Sequence, residues 1–329
     1  MLHIHNGDAS GDTAKLSTLP GEHFVFREAL IEGPTPAGLD QAEWLKVRAG
    51  HLADGYGENP EEVERDLAEQ QRQLTTVSAH DETVLWFEHD LFCQLCLIYL
   101  LDWFGKNNSR KTRLSLICIG VFPGKINFRG LGELNAAELE SLFPHRQPVT
   151  EQQLDLATSA WNAYCSSDPT EIQTLLQTDQ SALPFLSAAL TAHLKRFPSS
   201  ENGLGRVEQT SLELIAAGAT DFASLFRSFI EREPVYGLGD AQLWLALRRM
   251  SEVQQPLIEI SVGGAKVEKQ IPEFHKAEFA ITDTGRSVLN ADTDFIAQNG
   301  IDHWLGGVHL GNDQTLWRWN DKSQRLEQV

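Results

Sequence analysis

Hydrophobic residues along this chain follow two rhythms, and the places where one gives way to the other mark its elements. Four short runs, Leu2–Asn6, His23–Phe26, Thr83–Phe87 and Arg113–Gly120, are rich in β-branched or aromatic residues and bounded by turn residues, so they predict strands. Around them the apolar positions return every three or four residues, the helical period. Gln41–Ala53 carries Trp44, Leu45, Val47 and Leu52 on one broad face. Asn59-Pro60-Glu61-Glu62 opens a second helix with a capping Asn, a Pro at the first helical position and acids at the positive end of the dipole. Leu91–Phe104 follows the third strand and Asn135–Phe143 the fourth. Strand and helix in this alternation predict an α/β domain over residues 1–144, a mostly parallel sheet with Rossmann-like or flavodoxin-like layers.

Beyond that point the strand rhythm stops. Residues 145–200 predict a helical segment alone, with Gln152–Tyr164, Thr170–Gln177 and Leu183–Arg196, and Pro198–Gly205 predicts a linker. Residues 201–329 open with three helices, Arg206–Ala217, Asp221–Arg232 and Asp240–Ser251. Strands at Leu257–Val262 and Ala277–Ile281 follow, then a short helix from Thr284. Helices leading into a hairpin predict an α+β, winged-helix-like domain. It closes in a Trp-rich hairpin, Val308–Leu310 turning at Gly311-Asn312-Asp313 into Thr315–Trp319, with Trp304, Trp317 and Trp319 expected to staple it.

Several stretches in this layout carry a resemblance: HIHNGD (His3–Asp8), FREALIEGPTP (Phe26–Pro36), LWFEHDLFCQL (Leu85–Leu95), SLICIGVFPG (Ser115–Gly124) and GLGEL (Gly130–Leu134). SALPFL (Ser181–Leu186), NGLGR (Asn202–Arg206), NGIDHWLGGVHL (Asn299–Leu310) and TLWRWN (Thr315–Asn320) extend it over nearly the whole chain. In these the chain resembles the bacterial domain of unknown function 1835 family, whose members often carry a second C-terminal domain. The resemblance implies a soluble bacterial protein and brings no activity, cofactor or catalytic residue. An acidic residue is usual in that family where this chain has Cys93, which weakens a redox reading of that cysteine.

Charge narrows the partners. Of 329 residues, 46 are acidic and 27 basic, a net charge of −19. The excess is spread: 22 acids against 12 bases in residues 1–144, 5 against 3 in 145–200, and 19 against 12 in 201–329. No segment offers a polyanion-binding surface, which leaves nucleic acid only the C-terminal domain, where Arg248-Arg249 is locally basic. Lys106, Arg110, Lys111 and Arg113 form a basic cluster expected in a solvated loop. The start MLHIHNGD lacks a signal pattern, and the apolar run Leu91–Phe104 falls short of the roughly 20 residues a bilayer requires. No membrane partner and a cytoplasmic location are expected. Four cysteines make no disulfide framework, and the apolar neighbours of Cys93-x-x-Cys96 predict buried thiols over a redox or metal pair.

The candidate chemistry lies where the strands end. Ligands of a parallel α/β sheet bind at the carboxyl ends of its strands. The first strand runs into Asn6-Gly7-Asp8 and then Ser10, the second into Arg27-Glu28, and the third into Glu88-His89-Asp90. Asn6, Gly7, Asp8 and Ser10 form a loop whose N–H groups suit a phosphate. Arg27 with Glu28 reads as an anion clamp or an internal ion pair. Glu88, His89 and Asp90 are the expected acid–base residues, with Asp90 also placed to cap the following helix. Asp8 and Glu88 are the expected ligands of a Mg²⁺ ion. The residues predict a nucleotide- or phosphate-ligand-binding protein, a hydrolase or transferase. A ligand-sensing regulator that binds DNA through its C-terminal domain and a protein-interaction adaptor are the alternatives.

Overall fold

The computed structural model describes residues 1–107, 112–263, 265–266, 274–312 and 314–329. The chain builds one mixed sheet carrying most of its parallel pairing, helices around it, and small additional sheets. The main sheet contains β1 (Leu2–Asn6), β2 (Glu22–Phe26), β4 (Glu82–Glu88), β5 (Arg113–Ile119) and β6 (Gln147–Pro148), in the order β2-β1-β4-β5-β6. The first four run parallel; β6 is a two-residue antiparallel edge that periodicity does not reveal. Every residue of β1 is buried, and β4 is buried from Glu82 through Phe87, as expected of central strands covered on both faces.

The connections decide where a ligand can sit. β1 leads through α1 (Asp8–Lys15) to β2 on one side. The chain then passes through β3 (Gly33–Pro34), α2 (Gln41–Tyr56) and α3 (Pro60–Thr75) to β4 on the other side of β1. Strand order therefore reverses between β1 and β4, and the loops diverge there to leave a crevice. The caps follow the sequence: Asp40 closes a capping box on α2, and Asn59 accepts from Glu61 and Glu62 ahead of Pro60. α4 (Leu91–Asn107), almost wholly apolar, lies against α6 (Glu151–Cys165) and α8 (Leu186–Leu194), with α5 (Ala136–Leu142) and α7 (Thr170–Leu175) nearer the surface. Among the described residues no helix is long and apolar enough to cross a membrane.

The C-terminal part contains α9 (Arg206–Ala216), α10 (Phe222–Arg232), α11 (Asp240–Ser251), β7 (Ile258–Val262), β8 (Ala265–Lys266), β9 (Glu278–Ile281), α12 (Asp283–Leu289) and α13 (Phe295–Asn299). β10 (Asp302–Gly306), β11 (Val308–Gly311), β12 (Trp317–Asn320) and β13 (Arg325–Gln328) complete it. Three expectations fail here. The segment 198–205 is no solvated linker: Pro198 and residues 202–205 are buried, and Ser200 and Trp319 bond across it. Val308–Leu310 does not pair with Thr315–Trp319. It pairs with β10 through the Gly306-Gly307 turn, because Gly306 takes a positive φ of 63° and a Cβ on Gly307 would strike the Cys165 carbonyl. β12 pairs instead with β13. Gly33-Pro34, whose Gly-Pro-Thr-Pro sequence reads as a rigid turn, is a short strand bonded in parallel to β10. One apolar core accordingly runs from Leu2 to Leu326.

Of the basic cluster, Lys106 pairs with Asp102 and Arg113 with Glu82, while Arg110 and Lys111 lie outside the described residues, as does Asp313 of the expected final turn.

Candidate functional site

The reversal between β1 and β4 brings together part of the expected set. Asn6 ends β1, Glu88 ends β4, and Asp90 caps α4, its Oδ1 accepting from the Cys93 amide at 2.8 Å. The cap turns the first helical residues back toward the strand ends, which delivers Cys93 to the same spot. The Asn6 side-chain amide donates to Cys93 Sγ at 2.9 Å, and the thiol donates to Glu88 Oε2 at 3.6 Å. Glu88 Oε1 accepts from the Leu131 amide at 2.5 Å. Gln94 fastens the strand end from below by donating to the Glu88 carbonyl at 2.6 Å.

Two glycines press on the acids. A Cβ on Gly130 would come within 2.3 Å of Glu88 Oε2, and one on Gly237 within 2.2 Å of Asp90 Oδ1. Their backbones crowd one side of each carboxyl. Burial, then the charge of Asp90, pushes the Glu88 carboxyl up to about 8, and burial raises Asp90 as well. Their carboxyl oxygens approach within 4.8 Å of each other. At neutral pH the pair holds a proton that separate surface acids would have released. Glu88 is only partly covered, so this proton lies within reach of a bound molecule.

The other expected residues take different places. Asp8 accepts from Arg27 at 2.8 Å on the open rim, and both are more than half exposed. Gly7 begins α1 at φ 97°, with no atom within 4 Å of where a Cβ would stand. Ser10 is buried and donates to the Gly7 carbonyl at 3.3 Å, bracing the turn. Glu28 is turned inward, where fully buried Arg48 donates to it at 2.6 Å and also holds the carbonyls of Ala29, Glu32 and Pro34. His89 stands edge-to-face on Phe185, ring centroids 6.0 Å apart, and its buried Nδ1 has no hydrogen-bond partner among the described residues. Neither residue of the Arg27–Glu28 dipeptide pairs with the other.

Glu88, Asp90 and Cys93 present donor atoms within 4.8 Å of one another, a spacing one cation can bridge. Two carboxylates and a thiolate suit a borderline metal such as Zn²⁺ better than Mg²⁺, which takes oxygen ligands. Burial holds the Cys93 proton well above the ordinary thiol range, so an ion would have to displace that proton and the one on the acids. Of the expected Mg²⁺ ligands, Asp8 is paired with Arg27. Cys93, Gly130 and Gly237 are the site residues that sequence reasoning missed; the helix cap at Asp90 was the available signal for Cys93, and nothing local marks the two glycines. Comparison with known proteins finds no family model that matches this chain and no matching curated protein.

Proposed function

We propose that the protein binds a small phosphate-bearing or nucleotide ligand at this rim and acts on it as a hydrolase or transferase. The observation that carries the reading is the close pair of acids, Glu88 and Asp90, gathered with Asn6 and Cys93 at the strand reversal beside a helix start with open space over Gly7. In a Rossmann-like sheet the ligand's anionic group would meet the first-turn amides of α1 and Arg27, displacing Asp8 from the guanidinium. Glu88 would supply or take the proton, with Asp90 tuning it. His89 flanks the pair, but its packing on Phe185 supports a weaker part. The family resemblance adds a bacterial setting to this reading and no chemistry.

The regulator reading has less support even if the C-terminal part is winged-helix-like. Arg248 of α11 is committed to Glu252 and the Gly55 carbonyl, and Arg249 to Glu208. A thermal-shift screen with inorganic phosphate, ADP and ATP, each with and without Mg²⁺, tests the proposal. One of these should raise the melting temperature of the wild type, and Glu88→Gln should fold yet abolish turnover of the ligand found. No shift with any of them, or undiminished turnover in Glu88→Gln, overturns it.

A further inference from the structure

A second concave region lies away from the rim, where α2, α9, α11 and β10 meet. It is a cavity of about 490 Å³ with Leu204, Leu245, Met250, Phe295, Ile301 and Leu310 on its walls. That volume is ordinary for a small-molecule site, and a junction between parts of a chain is a common place for one. Its deep end is formed by Glu32, Arg196, Arg249 and His303, which also border a separate water-sized void of about 10 Å³.

These four groups are under-used. Glu32 is 2% exposed, yet its carboxylate accepts no hydrogen bond among the described residues. Arg196 Nη2 stands 3.5 Å from it and Arg249 Nη1 4.0 Å, too far for good bonds. Arg196 spends one other nitrogen on the Ile31 carbonyl, and Arg249 spends Nε and Nη2 on Glu208. His303 is surrounded by protein but keeps surface open to the cavity, and it makes no hydrogen bond among the described residues. Burial and the two guanidiniums keep its ring neutral, so it offers one donor and one acceptor. The long ion pairs of Glu32 and the unbonded ring of His303 leave hydrogen-bonding capacity facing the cavity.

The deep end is charge-balanced, with Arg196 and Arg249 facing Glu32 and Glu208. A ligand carboxylate would add to the two glutamates, and an ammonium would add to the two arginines. A neutral edge with neighbouring donors and acceptors answers all four groups without disturbing that balance. Although Arg248 pairs with Glu252 on the wall, five acids line the cavity against three arginines, and that excess disfavours a phosphate there. We infer that this cavity is a binding site for a neutral nucleobase or nucleoside, its base edge on Glu32, Arg196, Arg249 and His303 and its sugar toward the mouth.

The inference is independent of the rim site, and calorimetry on the full chain tests it with adenosine, guanosine, cytidine and uridine. At least one should bind, and its 5′-monophosphate should bind more weakly. Arg249→Met should weaken the binding by roughly tenfold or more, the loss of one hydrogen bond to a charged group. Val253→Trp, on a partly exposed residue at the mouth, should block binding while the protein keeps its fold. The proposal fails if none of the four binds at about 1 mM. It also fails if the monophosphate binds more tightly, if folded Val253→Trp binds unchanged, or if glycine or glutamate binds in place of the nucleosides.

Discussion

A carboxyl that keeps its proton at neutral pH is a stability statement as well as a chemical one. Glu88 is raised to about 8 in the folded chain and returns to the ordinary carboxylate range on unfolding. The folded state therefore holds the extra proton, and this contribution, full below about 4.5, is lost as pH rises toward 8. Glu88→Gln carries no such titration and keeps the acceptor for the Leu131 amide. Its stability relative to wild type should rise with pH over that window, by up to roughly 1 kcal/mol per pH unit, read from urea midpoints of both proteins. Arg48 makes the opposite case. It is fully buried on Glu28, so Arg48→Met strands a carboxylate in the interior and should cost about 3–5 kcal/mol in the same assay. Replacing Arg48 and Glu28 together by apolar residues should recover most of that loss.

At the scale of elements, β1 shows how one strand serves two purposes. Its end carries Asn6 to the site, while His3 and His5 face the side covered by α1, against His23 of β2 and Trp86 of β4. Trp86 donates to His3, and His5 bonds His23 at 3.1 Å. Burial lowers His3 to about 4 and His5 to about 3, and lowers His23 too, with Lys15 opposing and Glu82 favouring protonation nearby. The unfolded chain takes up these protons near pH 6.5 and the folded chain resists them. Stability held above that pH should fall as pH drops toward 4, by roughly 1 kcal/mol per pH unit for each buried histidine. Urea midpoints across that range check it; a flat profile would mean the histidines open to water before the fold yields. The turn at Gly237 sits at φ 61° directly over Asp90. Gly237→Ala should lose about 1–3 kcal/mol for backbone strain, before any displacement of Asp90.

The whole molecule is joined by pairings that cross the expected domain limits. β10 bonds to β3, Arg196 donates to the Ile31 carbonyl, and Trp319 bonds to Pro198. A chain ending at residue 200 loses β10, α9 and α11, which leaves β3 unpaired and bares the face of α2. Such a fragment should bind a hydrophobic dye and unfold without a sharp transition, whereas the full chain unfolds cooperatively. A cooperative fragment would instead support the separate domains that the change of rhythm predicted.

The four parallel strands, the caps at Asn59 and Asp90 and the convergence of Asn6 and Glu88 on one rim were legible in the sequence, because they follow from local periodicity, capping chemistry and the rule that parallel strands end together. The residue-level pairings were not. Arg27 and Glu28 are neighbours in the chain, yet one faces the rim to meet Asp8 and the other faces the interior to meet Arg48. Nor does the spacing of Glu32, Arg196, Arg249 and His303 relate them, since what brings them together is the docking of α9, α11 and β10 on α2 and β3. Local pattern sets which face of an element is apolar. Which faces meet is decided by burying those surfaces together in three dimensions, and in this protein that step placed Cys93 beside Glu88 and enclosed the second cavity.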